Sequence, residues 1–229
     1  ITDNVTLSQG GGNWSAIERE NSVNAVSGML QKCFTENTDD PATVKWSTEL
    51  ETILKQSEIE QISFDFKIGF FNLTTRDFNH QAFDKSIKTL TAMANRGPDT
   101  IGYVIAGVAD KEADALQLKQ LSSKYAAIIK EGHFITGVNF DIDSSSLPAD
   151  RYFQKIIQLI DQQPIEDIYK SYIANNIRFL KYGDKNVIIF KVKGLTSAAI
   201  YGDDYYERKG ANLEKIPARR IPDLLNRFR

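Results

Sequence analysis

The 229-residue sequence predicts an α/β domain of the mixed α+β kind: a mixed sheet flanked by helices, with an α-helical N-terminal extension. Three observations predict it. Apolar residues alternate strictly with polar ones over residues 62–68, the two-residue period of a half-buried strand. Residues 101–108 are β-rich and apolar on both faces, as a central strand is. Strand-period and helix-period segments then alternate across residues 60–210, which argues layers of helix on sheet.

The elements follow in order. Residues 1–13 read as a loose segment, and Ser15–Phe34 has a helical apolar pattern. Asp40-Pro41 is a helix start, Asp capping free N–H groups and Pro taking the first helical position. That helix runs to about Gln56. Ile62–Ile68 is a strand that puts Asp65 and Lys67 on one face and the phenylalanines on the other. Residues 69–81 read as a loop, from which Arg76 and His80 could reach a ligand. Phe83–Arg96 is a helix ended by Gly97-Pro98. Leu116–Lys130 reads as a helix, His133–Ile142 as a strand, and Asp150–Gln162 as a helix. Glu166–Asn176 fits either period. Asn186–Lys193 is a strand with Lys191 and Lys193 on one face, Tyr205–Lys209 a short strand, and Arg219–Arg229 a terminal amphipathic helix. The expected organisation is an extension over 1–57, a domain over 58–215, and a basic helix or linker over 216–229.

Composition narrows the function. Apolar residues make up 41% and charged residues 25%, so wholesale disorder is not expected. No apolar run approaches the ~18 residues that cross a bilayer, so no membrane partner is expected. The first residues carry no basic start or apolar stretch, so no secretory signal is visible and a cytoplasmic setting is expected, and the absence of Met at position 1 suggests a fragment of a longer chain. Its single cysteine, Cys33, excludes an internal disulfide framework and a Cys-based zinc site. Two histidines, His80 and His133, form no helical His-x-x-x-His pair. No phosphate-binding P-loop, nucleophile elbow or Gly-x-Gly-x-x-Gly fingerprint occurs. Net charge is −2 but uneven. Residues 1–60 hold ten acids against four bases, and residues 191–229 nine bases against five acids. Such asymmetry suits a polyanion footprint, and equally an ordinary patchy surface.

One constellation could carry chemistry. Glu60, Asp65 and Asp110 are oxygen ligands of the sort that hold Mg²⁺ or Mn²⁺, and Lys67 beside them could neutralise charge on a phosphate. Asp110 joins if strands 62–68 and 101–108 are neighbours. The plainer reading is a solvated strand face with Asp65 and Lys67 as a weak surface pair.

The order Glu60-x-x-x-x-Asp65-Phe66-Lys67, a loop, a helix ending at Asn95, then Gly102-Tyr103-Val104-Ile105-Ala106-Gly107-Val108-Ala109-Asp110, resembles the Schlafen-type AlbA-like domain. Tyr205-Tyr206-Glu207-Arg208-Lys209-Gly210 is similar to that family's closing strand. The resemblance spans about residues 58–215. It implies a nucleic-acid-binding module, RNA or DNA, of a larger regulatory or defence protein. For some members it implies a metal-dependent endoribonuclease, whose acids fall on Glu60, Asp65 and Asp110. Two departures stand out: Asp65 is one methylene shorter than the family's usual Glu, and its Asn-x-x-Gly-Gly turn is here Asn95-Arg96-Gly97-Pro98-Asp99-Thr100. Expected phosphate contacts are Lys67, Arg76, Lys191, Lys193, Arg208, Lys209, Arg219 and Arg220, with Tyr205 and Tyr206 as stacking surfaces. Asn95 and Gly107 read as structural. A protein-interaction or homo-oligomerisation module is the alternative from a different class.

Overall fold

The computed structural model describes residues 41–57 and 61–229. The helix expected over 15–34, Cys33, the Asp40 cap and Glu60 therefore lie outside the described residues. Residues 47–229 form one compact unit.

The fold is α+β. Helix α1 (Pro41–Ser57) ends before β1 (Phe64–Lys67), which leads through a loop to α2 (His80–Ala94) and β2 (Ile101–Ala106). Then come β3 (Val108–Ala109), α3 (Glu112–Leu121), β4 (Ile128–Lys130), β5 (His133–Ile135), α4 (Asn139–Ser145), α5 (Ala149–Asp161) and α6 (Asp167–Asn176). The chain closes with β6 (Arg178–Tyr182), β7 (Lys185–Lys193), β8 (Ile200–Tyr201), β9 (Asp204–Lys209), β10 (Asn212–Lys215) and α7 (Ile221–Asn226). Among the described residues no helix is long and apolar enough to cross a membrane.

The main sheet runs β1-β2-β7-β6, with β1 and β2 parallel and the other pairs antiparallel. Its register decides which side chains can meet. Phe64 pairs with Tyr103 and Tyr103 with Lys191; Asp65 pairs with Val104 and Val104 with Phe190. Paired residues share a face. Asp65 and Lys67 thus stand on the face that carries Val104, Ala106, Ile188, Phe190 and Val192, and α2 packs there through Phe83, Ile87, Leu90 and Met93. The i, i+4, i+7 spacing of that stripe makes α2 amphipathic. Asn79 caps it by accepting from the Ala82 N–H at 3.0 Å. A Cβ at residue 102 would stand 2.5 Å from Met93 Cβ, so Gly102 lets the helix seat closely on β2.

The other face carries Phe64, Phe66, Tyr103, Ile105 and Ile189. Leu50, Ile53 and Leu54 of α1 are buried, the Tyr182 hydroxyl donates to Glu51 at 2.7 Å, and His133 packs at a tilt against Phe66 with its Nε2 3.2 Å from the Leu54 carbonyl. Residues 47–57 are thus part of the compact unit, not of a separate extension. Gly107, at φ +100°, turns the chain out of β2. Its N–H donates to the Lys67 carbonyl at 2.7 Å, and its own carbonyl accepts from Thr136 and Gly137. It therefore joins the main sheet to the small sheet β3-β5-β4, the structural role the sequence implied.

Several boundaries differ from expectation. The helix expected over 116–130 stops at Leu121, where the Ser122 hydroxyl accepts from the Lys124 N–H in a tight turn before β4. The strand expected over 133–142 ends at Ile135, and residues 139–145 are helical. Glu166–Asn176 resolves as a helix from Asp167. The C-terminal helix is one short stretch, and it is docked: Ile216 and Leu224 are buried with Ala198.

Candidate nucleic-acid interface

β8, β9 and β10 form a separate antiparallel sheet, and β9 lies against α2. Asn95, at the end of α2, ties the two together. Its Nδ2 donates to the carbonyls of Ala199 and Tyr206, both at 2.9 Å, and its Oδ1 accepts from the Ala199 N–H at 2.7 Å. A cleft of about 730 Å³ opens between the edge of β1, the polar side of α2 and this sheet. Asp65 and Lys67 line it from β1, Lys85 and Lys88 from α2, and Tyr201 and Tyr206 from the closing sheet.

β9 alternates across this boundary. Tyr206 faces the cleft and Arg208 reaches Asp65, at 3.5 Å. Tyr205 packs with Ile216 and Ile221, and Glu207 takes a two-point ion pair from Arg220. Arg208 is buried, its side chain 2% exposed. Burial draws its pKa down, and the negative charges of Asp65 and Asp110 oppose that shift. Lys67 Nζ pairs with Asp65 Oδ2 at 2.6 Å. Two cations therefore balance one carboxylate at the floor of the cleft.

The expected site residues divide accordingly. Asp65, Lys67, Tyr206 and Arg208 converge, and the charge of the exposed Asp110 reaches Arg208. Arg208 holds Asp65 rather than facing solvent. Lys191 and Lys193 belong to the opposite face of the main sheet, where Lys191 lies over the Tyr103 ring and Lys193 pairs with Asp99 at 2.6 Å. Arg76 lies over Phe140, His80 packs on Phe78, and Lys209 pairs with Glu214. Arg220 is committed to Glu207, Tyr205 to the C-terminal segment, and Arg219 is exposed. Sequence reasoning missed Lys85, Lys88 and Tyr201. A signal existed: Gln81, Asp84, Lys85 and Lys88 form the polar stripe opposite the apolar stripe of α2.

Of the three oxygen ligands expected for a divalent cation, Asp65 and Asp110 are among the described residues and Glu60 is not. Among the described residues no three metal-ligating side chains group together. Asp65 already faces two positive charges, and like-charge repulsion opposes a third. A second groove, of about 740 Å³ between α5 and α6, offers less: its one cation, Lys170, pairs with Asp167 at 3.4 Å.

No family model matches the chain, and no curated protein matches it in sequence. Among solved structures, the DIP2311 protein from Corynebacterium diphtheriae matches with a TM-score of 0.43 and 18% identity over 74% of this chain. The chain spans 26% of that protein's length.

Proposed function

We infer that this cleft binds nucleic acid and that the chain is a Schlafen AlbA-like binding module. The observation that carries the reading is that Lys67, Lys85 and Lys88 line one cleft together with two tyrosine rings, outnumbering the acids Asp65 and Asp84 that share it. Ammonium groups on mobile stems meet phosphates, and aromatic faces meet bases. The motif order supports the same reading, because the Asp65-Phe66-Lys67 strand, the helix ending at Asn95 and the Tyr206–Arg208 strand all border that cleft. A reducing, cytoplasmic setting belongs to the proposal, supported by one cysteine in 229 residues.

Fluorescence anisotropy with a labelled single-stranded RNA or DNA tests it. Three lysines on a single strand give a log–log salt slope of about −2, so affinity should fall about 100-fold per tenfold rise in salt. Charge reversal at Lys85 and Lys88 together should remove most of that slope, while the same change at Lys191 and Lys193 should leave it unaltered. No binding at roughly 20 mM salt would refute the reading. Incubating transfer RNA with Mn²⁺ addresses the metal-dependent endoribonuclease: cleavage lost in Asp65→Asn would move the assignment there.

A further inference from the structure

The aromatic wall of the cleft indicates which part of a nucleic acid it takes, an inference that rests on the reading above. Tyr201 and Tyr206 meet edge to face, 6.4 Å between centroids at 85°. Tyr201 is braced from behind: its hydroxyl donates to Gln163 Oε1 at 2.9 Å, and Gln163 Nε2 donates to Asp84 Oδ1 at 2.9 Å. Burial and the Asp84 charge push the Tyr201 hydroxyl up to about 12, so it stays a neutral donor. Tyr206 is braced through its carbonyl by Asn95. Lys88 Nζ rests over both rings, 4.8 Å from the Tyr201 centroid and 4.9 Å from that of Tyr206.

This is a rigid aromatic corner capped by an exchangeable cation. A duplex keeps its base faces stacked inside and cannot use such a corner; an unpaired nucleotide can. The cleft volume also falls in the range, ~300–1,000 Å³, of sites that enclose one small molecule. We propose that the cleft seats one unpaired nucleotide of a single strand. Its base displaces Lys88 from the tyrosine faces, and the released ammonium joins Lys67 and Lys85 on the flanking phosphates. The exchange trades a weak cation–π contact for base stacking and a phosphate contact together.

The test measures the whole chain against three probes at low salt: a thymidine 12-mer, an all-abasic strand of the same length, and a blunt 12-base-pair duplex. The thymidine strand should bind about tenfold more tightly than either of the others, the size of one base–aromatic stack. Tyr206→Leu should erase the advantage over the abasic strand. Lys88→Gln should keep the advantage and flatten the salt slope by about 0.7. Equal affinity for all three probes overturns the seat while leaving nucleic-acid binding intact; no binding of any probe overturns the parent reading instead. Displacement of the 12-mer by thymidine monophosphate at equal nucleotide concentration would assign the seat to a free nucleotide and overturn the strand. Because the probe comparison is made on the unaltered protein, a variant that fails to fold does not decide the outcome.

Discussion

Asn95→Ala is expected to lower stability by about 3–5 kcal/mol and to abolish binding at the cleft. The side chain is fully buried and makes three hydrogen bonds, two as donor and one as acceptor, to the backbone of Ala199, just before β8, and of Tyr206 in β9. Alanine removes three bonds worth ~1 kcal/mol each and strands buried carbonyls and an N–H that cost ~1–3 kcal/mol apiece if water cannot reach them. Asn95→Asp is the sharper variant. It is isosteric and can still accept from Ala199, but it sets a carboxylate against two carbonyl oxygens. With a urea slope of ~2 kcal/mol/M, the midpoint should fall roughly 2 M in either variant. A shift below about 0.5 M would show that the closing sheet holds to α2 without this residue. The same clamp fixes the Tyr206 carbonyl, so any surviving fold should show weakened stacking before it shows weakened phosphate contact.

What the sequence revealed and what it hid divide along one physical line. Patterns whose cause is local were readable. The strand expected over 62–68 is shorter, Phe64–Lys67, because Gln61–Ser63 forms a 3-10 turn. Within it residues alternate because Phe64 and Phe66 face one side and Asp65 and Lys67 line the cleft, and residues 101–108 are apolar throughout because β2 is flanked by β1 and β7. The α2 stripe was equally plain. Short strands at sheet edges were not readable: β6 presents Arg-Phe-Leu-Lys-Tyr, with only Leu180 buried, and leaves no clean alternation. β4 has three residues, and its isoleucines continue the apolar spacing of α3, so the segment reads as one helix.

The pairing of residues along one strand was legible, and the face each pair takes in the sheet was not. Residues 65 and 67 must share a face, and so must 191 and 193, because each pair lies two apart on one strand. Whether the two pairs share the same face depends on how β1, β2 and β7 register. Composition and spacing within a strand carry no information about that offset, and a shift of one residue inverts it. The observed register, Phe64 with Tyr103 with Lys191, puts the pairs on opposite sides. In the same way, nothing local marks Arg208 as buried. Its fate follows from β9 closing over the edge of β1, which brings the guanidinium to Asp65, while Lys85 and Lys88 of α2 line the cleft.

Asp141 should make the fold lose stability as pH rises through the mildly acidic range. Its carboxylate is 2% exposed and has three neutral partners: the Phe70 N–H at 2.5 Å, the Phe71 N–H at 3.3 Å and the Tyr152 hydroxyl at 2.8 Å. Burial outweighs these bonds and raises its pKa from 3.8 to about 6. The folded state therefore holds a proton that the unfolded state has released. That contribution is fully present below pH about 4 and is lost as pH rises through about 6, in all about 3 kcal/mol at 1.36 kcal/mol per unit. Asp141→Asn is the control, since an amide does not titrate and its mismatch with one donor is an offset constant in pH. The stability of the unaltered protein relative to this variant should drop by about 2 kcal/mol between pH 4.5 and 7.5, followed by urea denaturation at each pH. A difference that stays flat would mean that the two N–H groups and the tyrosine compensate burial in full. A falling one means that near neutrality the loop after β1 is held to α4 and α5 by an ionised group without a counter-charge, a strong geometric anchor maintained at an electrostatic cost.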